Sequence, residues 1–538
     1  MPQVQTLPAS KPNRILAELR PTSIVEDTPA AEVGPEFWTD LINFSMRPGY
    51  ANRVNGFSQF FLDTLTEPIN LINVQSGAVN FWVYMGDDGV RVVDQNGVVS
   101  DITPAIYASP VDASQANSTI INGFPIQSFQ QNPPTFWDLV PANICQPLPG
   151  WPVNTTAKSI RSFKQFLFAL NLTESGVEIP DKLQWSDAAL AGAVPQIWGA
   201  APTNQAGDTT LSATAGDIVD GLALRGQFMI YKEHSTYSCN FVGGTFVFAF
   251  RKLFTTSGML ANNCVAEVEG KHVVLTDGDL IIHDGQNIRS LVDRALRRFI
   301  FEQIDSTNFA NSFLFNYRSA KEVWACFPTT GLEHANLAVV WDYAHDLLSV
   351  RDLPENWSHA ASGTVLVDAA AIDWDGQPEE WNQADGGWNR AAFTGAFERA
   401  LGAIPLSPID GASLIVYIDD TNSQRDGVTA VGGLITRESL DFGAPQEVKY
   451  IRRIWPRITG STGTIIKVRV GVQDDPTSAI SWSVTQDYRI NVDDFLNFDS
   501  SGRYISVRFA EDIAPGAPIQ SVWGVHGFDV ECVLQGQF

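Results

Sequence analysis

Long apolar runs are missing from this 538-residue chain. No stretch of about 18 consecutive apolar residues occurs, so neither a membrane-spanning helix nor a signal-peptide core is expected, including at the N-terminal MPQVQTLPASKPNRILAELRPTS. Cysteine is sparse. Cys145, Cys239, Cys264, Cys326 and Cys532 are far apart, odd in number and include no CxxC pair, which excludes a zinc ribbon or a disulfide framework and predicts buried, reduced thiols. The seven histidines never fall at HxH or HExxH spacing, and there is no GxSxG elbow, phosphate-binding loop or dinucleotide-binding glycine run. Metal, hydrolase, nucleotide and redox chemistry thus have no motif, and no cofactor is expected. Positive charge is also short: 35 Lys and Arg face 60 Asp and Glu, a net charge of −25. A protein that grips nucleic acid by neutralising phosphates needs the opposite balance, whereas an acidic wall repels DNA and lets it slide. Acidity also simply favours solubility. Without a secretory passage, the sequons at Asn43, Asn117, Asn154, Asn171 and Asn356 are expected to be chance matches.

What is present points to an all-β fold. Hydrophobic residues make up 44% of the chain and charged residues 18%, with 15 Trp and 32 Phe, too apolar for a disordered chain. The 42 Gly and 30 Pro are scattered, as where many short strands meet many tight turns. Residues 1–32 are Pro-rich and without period, and are expected to be an arm that orders only against a neighbour. Within an expected β-propeller-like domain over 33–403, one unit recurs from Phe37 to about residue 355: strand, Gly/Asp/Asn turn, strand, turn, strand. In NFWVYMGDDGVRVVDQNGVVSDITP the strands are Phe81 to Met85, Val90 to Val93 and Val98 to Ile102. In AEVEGKHVVLTDGDLIIHDGQNIRSL they include Val273 to Leu275 and Leu280 to His283. Meanders recurring every 40 to 60 residues predict β-propeller blades, with a stack of separate sandwiches as the competing arrangement. Two helices are expected, Ile288 to Gln303 and Arg390 to Ala403. Beyond Pro405, long alternating runs predict a C-terminal antiparallel β-sandwich over 404–538.

Few residues suggest chemistry. Asp87-Asp88, Asp419-Asp420, Asp474-Asp475 and Asp493-Asp494 each sit in an expected turn, where Asp caps backbone N–H groups, although a propeller gathering carboxylates from several blades would suit an envelope depolymerase. His272 and His283 share one hairpin and are expected to be structural. Asp373, Asp375 and Gly376 resemble part of a calcium loop but lack its later ligands. Lys449, Arg452, Arg453 and Arg457 alternate with apolar residues on one strand, which predicts a subunit interface or partner-binding face. Trp374, Trp381 and Trp388 form an aromatic loop that would serve a receptor- or glycan-binding protein as a sugar platform.

The stretch FWTDLINFSMRPGYANRVNGFSQF resembles the leading segment of the tail hub or nozzle proteins (tail tubular protein B-like) of short-tailed bacteriophages, at Trp38, Asn43, Arg47, Pro48, Gly49 and Gly56. SDITP at Ser100 to Pro104, the hairpin around Val273 to His283 and the ending WGVHGFDVECVLQGQF look like later parts of such proteins. The resemblance implies a structural virion protein rather than an enzyme: a β-propeller subunit of a ring, expected to be a homohexamer, around the channel for genome ejection. Its implied partners are its own copies, a tail adaptor or portal-connected protein, tail fibres, spikes or a needle, and double-stranded DNA passing without tight binding. Assembly would take place in the bacterial host cytoplasm, without membrane insertion.

Overall fold

A computed structural model describes residues 5–6, 14–63, 67–77, 79–94, 98–108, 116–129, 131–244, 246–366, 396–407, 411–421, 431–512 and 519–535. Among these the chain is almost wholly β, with one short helix, Arg297–Gln303, and one 3-10 turn, Phe309–Asn311. Seven four-stranded antiparallel sheets follow one another among the described residues. The first six span 68–101, 117–147, 155–210, 218–254, 265–290 and 313–357. The seventh combines His359–Leu366, Ala396–Ile404 and Ser413–Ile418 with Phe57–Asp63, which comes from the opposite end of the sequence. The first strand of each sheet touches the first strand of the next, and that of the seventh touches that of the first. This closed ring is a seven-bladed β-propeller, sealed where the early strand Phe57–Asp63 completes the last blade from the other end of the sequence.

The blades form for a reason visible in their middle strands. In blade 1, Phe81, Val83 and Met85 pack toward blade 2, while Trp82 and Tyr84 of the same strand pack with Val365, Leu401 and Ile415 of blade 7. In blade 3, Phe166, Phe168 and Leu170 face blade 4 and Leu167, Ala169 and Leu172 face blade 2. A strand covered on both faces must be apolar throughout, so NFWVYM and FLFAL read as unbroken apolar runs rather than alternating ones. Tight turns close the hairpins. Asn122 (φ 49°) and Gly123 (φ 90°) join Ile121 to Phe124 in the left-handed conformation that a two-residue hairpin with the strands' own twist requires.

The sandwich lies on both sides of the propeller in sequence. Its first sheet runs Gln5–Thr6, Arg14–Leu19, Gly524–Leu534, Lys449–Thr459, Leu496–Gly502, with the hairpin Phe44–Arg47 and Tyr50–Arg53 attached to Gly524–Leu534. Its second runs Ser481–Trp482, Ile465–Gln473, Tyr504–Ala510, Leu434–Leu440, Asp40–Ile42, and Gln486–Arg489 also pairs with Ile465–Gln473. The propeller is therefore an insertion in a sandwich, and the sequence boundaries shift. Residues 14–32 are not a free arm: Arg14–Leu19 pairs with Gly524–Leu534, and buried Arg437 donates to the carbonyls of Ala30 (3.1 Å) and Val33 (2.6 Å). The propeller domain does not start at 33, because Trp38 to Arg53 belong to the sandwich, and it does not end at 403, because Ser413–Ile418 is a strand of its last blade.

Both expected helices are corrected as well. Ile288–Ser290 pairs with Ile281–His283 as the outer strand of blade 5, leaving only Arg297–Gln303 helical. Ala396–Ile404, rich in helix formers, is a strand between two partners; Ala400, Leu401 and Ala403 are buried, so tertiary packing overrides propensity.

Glu26 marks where the N-terminal segment crosses to the propeller. Its N–H donates to Ala295 O at 2.8 Å, and burial, followed by the carboxylates of Asp40 and Asp27, pushes its pKa up to about 8. A carboxyl whose folded pKa lies above its unfolded value costs stability once pH exceeds the unfolded value of 4.5. Glu26→Gln is therefore expected to raise the thermal midpoint by several degrees at pH 8 and to leave it unchanged near pH 4.5, as differential scanning fluorimetry at the two pH values will read.

Candidate functional site

The residues quoted for the resemblance converge on the junction between sandwich and propeller. Trp38 is fully buried, its ring 6.5 Å from Phe509 and 6.1 Å from Phe528 in the sandwich core. Asn43 adopts φ 59° and bonds outward: its N–H donates to Val350 O (2.9 Å), its Oδ1 accepts from Asp352 N (2.9 Å), and its Nδ2 donates to Gly432 O (2.9 Å). One sandwich residue thus holds the outer strand of blade 6. Gly49 (φ 86°) turns the hairpin that presents Arg47. Gly56 lies where the chain enters the propeller; its N–H donates to Thr421 O (2.6 Å) and its O accepts from Asp420 N (3.1 Å), so the outgoing and returning crossings bond to each other.

Arg47 opens a charge network that the sequence did not reveal. Its guanidinium pairs with Asp342 and with Glu322 (3.4 Å) of blade 6. Glu322, 2% exposed, accepts from Trp324 Nε1 (3.0 Å) and lies 3.9 Å from Arg351. Arg351, 4% exposed, sits over the Trp324 ring at 4.5 Å and pairs with Asp419 at 2.7 Å. Burial raises the Glu322 carboxyl pKa and Arg351 opposes it. Arg47 lies 275 and 295 positions from Glu322 and Asp342, and Arg351 lies 68 from Asp419, so no local pattern announces the network.

The propeller axis, where many propellers keep a cavity, is crossed by polar side chains. Asp220, fully buried, accepts from Ser159 Oγ (2.6 Å), Arg161 Nε (2.8 Å), Gly221 N (2.8 Å) and Asn263 N (3.1 Å). Arg161 also donates to Ser118 O (3.0 Å) and Asn263 Oδ1 (2.9 Å), and Asn263 Nδ2 reaches Ala116 O at 3.0 Å, from the start of blade 5 to the start of blade 2 across the ring. These bonds cross the axis at the level of Asn263, and a cavity of about 20 Å3 lined by Ile69, Asn263, Phe313 and His359 lies beside them. His359 lies beside it, stacked on Phe313, and burial lowers its pKa to about 3.

His272 and His283 face each other in register, bridged by Tyr231. Gly285 N–H donates to His283 Nδ1 (3.2 Å), which leaves the His283 Nε2–H to donate to Tyr231 Oη (2.7 Å). Tyr231 O–H then donates to His272 Nδ1 (2.7 Å), and His272 Nε2–H to Ala223 O (3.0 Å). The chain of donors runs one way only if both rings are neutral. Burial lowers His272 to about 3 and His283 to about 4. Because the unfolded rings take protons near 6.5 and the folded ones do not, each pair member should cost about 1.4 kcal/mol per pH unit as pH falls from 6.5 toward 4. Urea unfolding of the His272→Gln/His283→Gln variant is expected to show a shallower loss over that window than the parent chain.

The acidic pairs remain in turns and apart. Asp87 Oδ1 accepts from Glu67 N (3.0 Å), Asp420 pairs with Arg399 (2.7 Å), Asp475 accepts from Thr477 N (2.8 Å) and Asp493 pairs with Arg489 (2.9 Å). Among the described residues no group of three or more His, Cys, Asp or Glu is placed to hold a metal ion. Asp373 and Asp375 lie outside the described residues, as do Trp374, Trp381 and Trp388. The basic strand divides. Lys449 is fully buried and donates to the carbonyls of Arg503 (2.6 Å), Ala444 (2.7 Å) and Glu447 (3.0 Å), so it is a cap and no partner contact. Arg453 covers Phe495 at 4.8 Å. Arg452 and Arg457 lie on the outer face of the sheet, against Glu531 (3.9 Å) and Asp529 (2.6 Å).

Fold and junction together define a class: a seven-bladed β-propeller inserted in an antiparallel β-sandwich. Solved structures similar to the chain include "YCF48 bound to D1 peptide" (7% identity, 68% of this chain and 98% of that one, TM-score 0.36). Others are the WD40 β-propeller domain of Doa1 (8%, 67% and 97%, TM-score 0.34) and BBS1N in complex with ARL6DN (8%, 68% and 98%, TM-score 0.37). No family model matches the chain, and no curated protein does.

Proposed function

We propose that this chain is a structural subunit of a bacteriophage tail, a hub or nozzle protein that works as a ring, expected to be a hexamer, and not an enzyme. The observation that carries the reading is the convergence of Trp38, Asn43, Arg47, Gly49 and Gly56 on one junction. A motif shared for its fold would hold two domains at a fixed angle, as a ring subunit requires. The bonds across the axis add a condition: DNA would travel between copies and not through a propeller, along walls whose net charge of −25 per copy disfavours tight binding. Arg452 and Arg457 are the residues of the basic strand that remain available to a neighbouring copy. In this reading, adaptor or portal-connected proteins dock on one side of the ring and fibres, spikes or a needle on the other. The subunits assemble in the host cytoplasm and end in the virion tail.

Native mass spectrometry with negative-stain class averages tests this. A six-fold ring with an open centre is expected; a chain that stays monomeric, alone and with tail extract, overturns it.

A further inference from the structure

Two clefts adjoin on the propeller face that carries the turns between first and second and between third and fourth strands. The first, of about 470 Å3, lies between blades 4 and 5; the second, of about 410 Å3, lies between blades 5 and 6. Both are lined by Asp284, in the turn between the third and fourth strands of blade 5.

The first cleft is rich in donors. Arg225 and Arg251 are exposed and form no ion pair among the described residues, which is unusual in a chain of net charge −25. Arg225 lies over Gly270, where an added Cβ would stand 3.1 Å from its Nε, and the backbone there is at φ 73°; glycine leaves room for the guanidinium. Gln227, Asn240 and Gln286 turn further amides into the cleft. The carboxylate present, Asp284, is absorbed by its own turn: it accepts from Gln286 N (2.8 Å), Asn287 N (2.8 Å) and Asn287 Nδ2 (3.3 Å), which hold its pKa down to about 2. Two forked cations with amides around them suit a carboxylate-bearing ligand.

The second cleft differs. Arg289 is already held by both oxygens of Asp346 (2.8 and 3.1 Å), which also accepts from Trp341 Nε1 (2.9 Å). Beside them the half-buried Tyr343 ring lies 6.1 Å from Trp341. Paired charges that can still serve hydroxyls, next to an aromatic face, suit a sugar ring, and exposed Lys271, which forms no ion pair among the described residues, can meet a carboxylate on it. An acidic peptide would offer carboxylates to the same cations but no ring for the aromatic face at Tyr343.

We propose that the two clefts form one binding site for an acidic oligosaccharide, its charged unit between Arg225 and Arg251 and its neighbouring ring against Tyr343. The site does not depend on ring assembly, since one chain carries all of it. Isothermal titration of the full chain with trigalacturonate, with the same trisaccharide reduced at its carboxyls, and with poly-glutamate tests it. Trigalacturonate is expected to bind with a Kd below about 1 mM. The reduced sugar should bind at least about tenfold more weakly, and Arg225→Gln and Arg251→Gln should each weaken trigalacturonate about tenfold with unchanged thermal midpoints. Tyr343→Ala should weaken both sugars. The proposal is overturned if trigalacturonate gives no heat at millimolar concentration. It is equally overturned if carboxyl reduction or the arginine variants change nothing, or if poly-glutamate binds as tightly as the sugar.

Discussion

A chain that begins at residue 64 is expected to yield no folded protein, whereas one that begins at residue 54 should keep a protease-resistant propeller and lose the sandwich. The difference is the single strand Phe57–Asp63, which pairs with Ser413–Ile418 and seals blade 7. Without it the propeller exposes an edge and the ring opens. Residues 14–53 matter to the other domain, where Trp38, Leu41, Phe44, Met46 and Ala51 are fully buried. At about 1.5–3 kcal/mol for each large apolar side chain, their loss approaches the whole stability of a domain, about 5–15 kcal/mol. Limited proteolysis and the cooperativity of thermal unfolding will decide. A sharp transition in the chain from 64 would show that the closing strand is dispensable.

Arg351→Ala should lower stability by about 3 kcal/mol, because it takes from Asp419 and from Glu322, 2% exposed, the guanidinium they share, leaves Glu322 only Arg47 as a cation, and uncovers Trp324. Converting both partners, Arg351→Met with Glu322→Gln, is expected to cost less than the sum of the single changes, since the carboxylate then left without Arg351 is Asp419, whose side chain at 20% exposed still reaches water. Denaturant unfolding of the four chains gives the coupling. If the double variant is as unstable as the sum, the network's worth lies in packing and not in charge. Because Arg47 and Asp419 both join this network at the junction of sandwich and propeller, the single change should also expose the junction to protease.

The blades were legible in the sequence because their order is local. Hairpins carry their own turn signals, as at Thr276-Asp277-Gly278-Asp279, and their own apolar strands, so Phe81–Met85 and Val273–Leu275 are readable without knowledge of any distant residue. Partnerships across the chain were not. Nothing in RILAEL names Gly524–Leu534 as its neighbour, and the surrounding prolines and polar residues made the segment look unstructured. Ala396–Ile404 carries helix-forming residues because a strand buried between close neighbours has room for alanine. In the basic strand, Arg452 and Arg457 have opposite parity and both face outward because the strand bulges between Ile451 and Arg453, which alternation does not reveal, and Lys449 turns inward because three carbonyls of nearby loops require a donor. The junction motif was visible as a run of residue types, and its purpose only became clear once Asn43 and Arg47 met blade 6.

The pairing of Arg14–Leu19 with Gly524–Leu534 also sets a timetable. Some 508 positions separate Arg20 from its acceptor Phe528, and at a ribosome's pace of about 5–20 residues per second the early strand waits roughly 25–100 s for its partner. During that interval all seven blades have already left the ribosome and can close around Phe57–Asp63, while the apolar face that carries Trp38 and Phe44 stays open. The nascent protein is thus a finished wheel trailing a sticky half-sandwich. This is the period in which chaperones, or premature contact between neighbouring nascent chains, would decide how much of it survives.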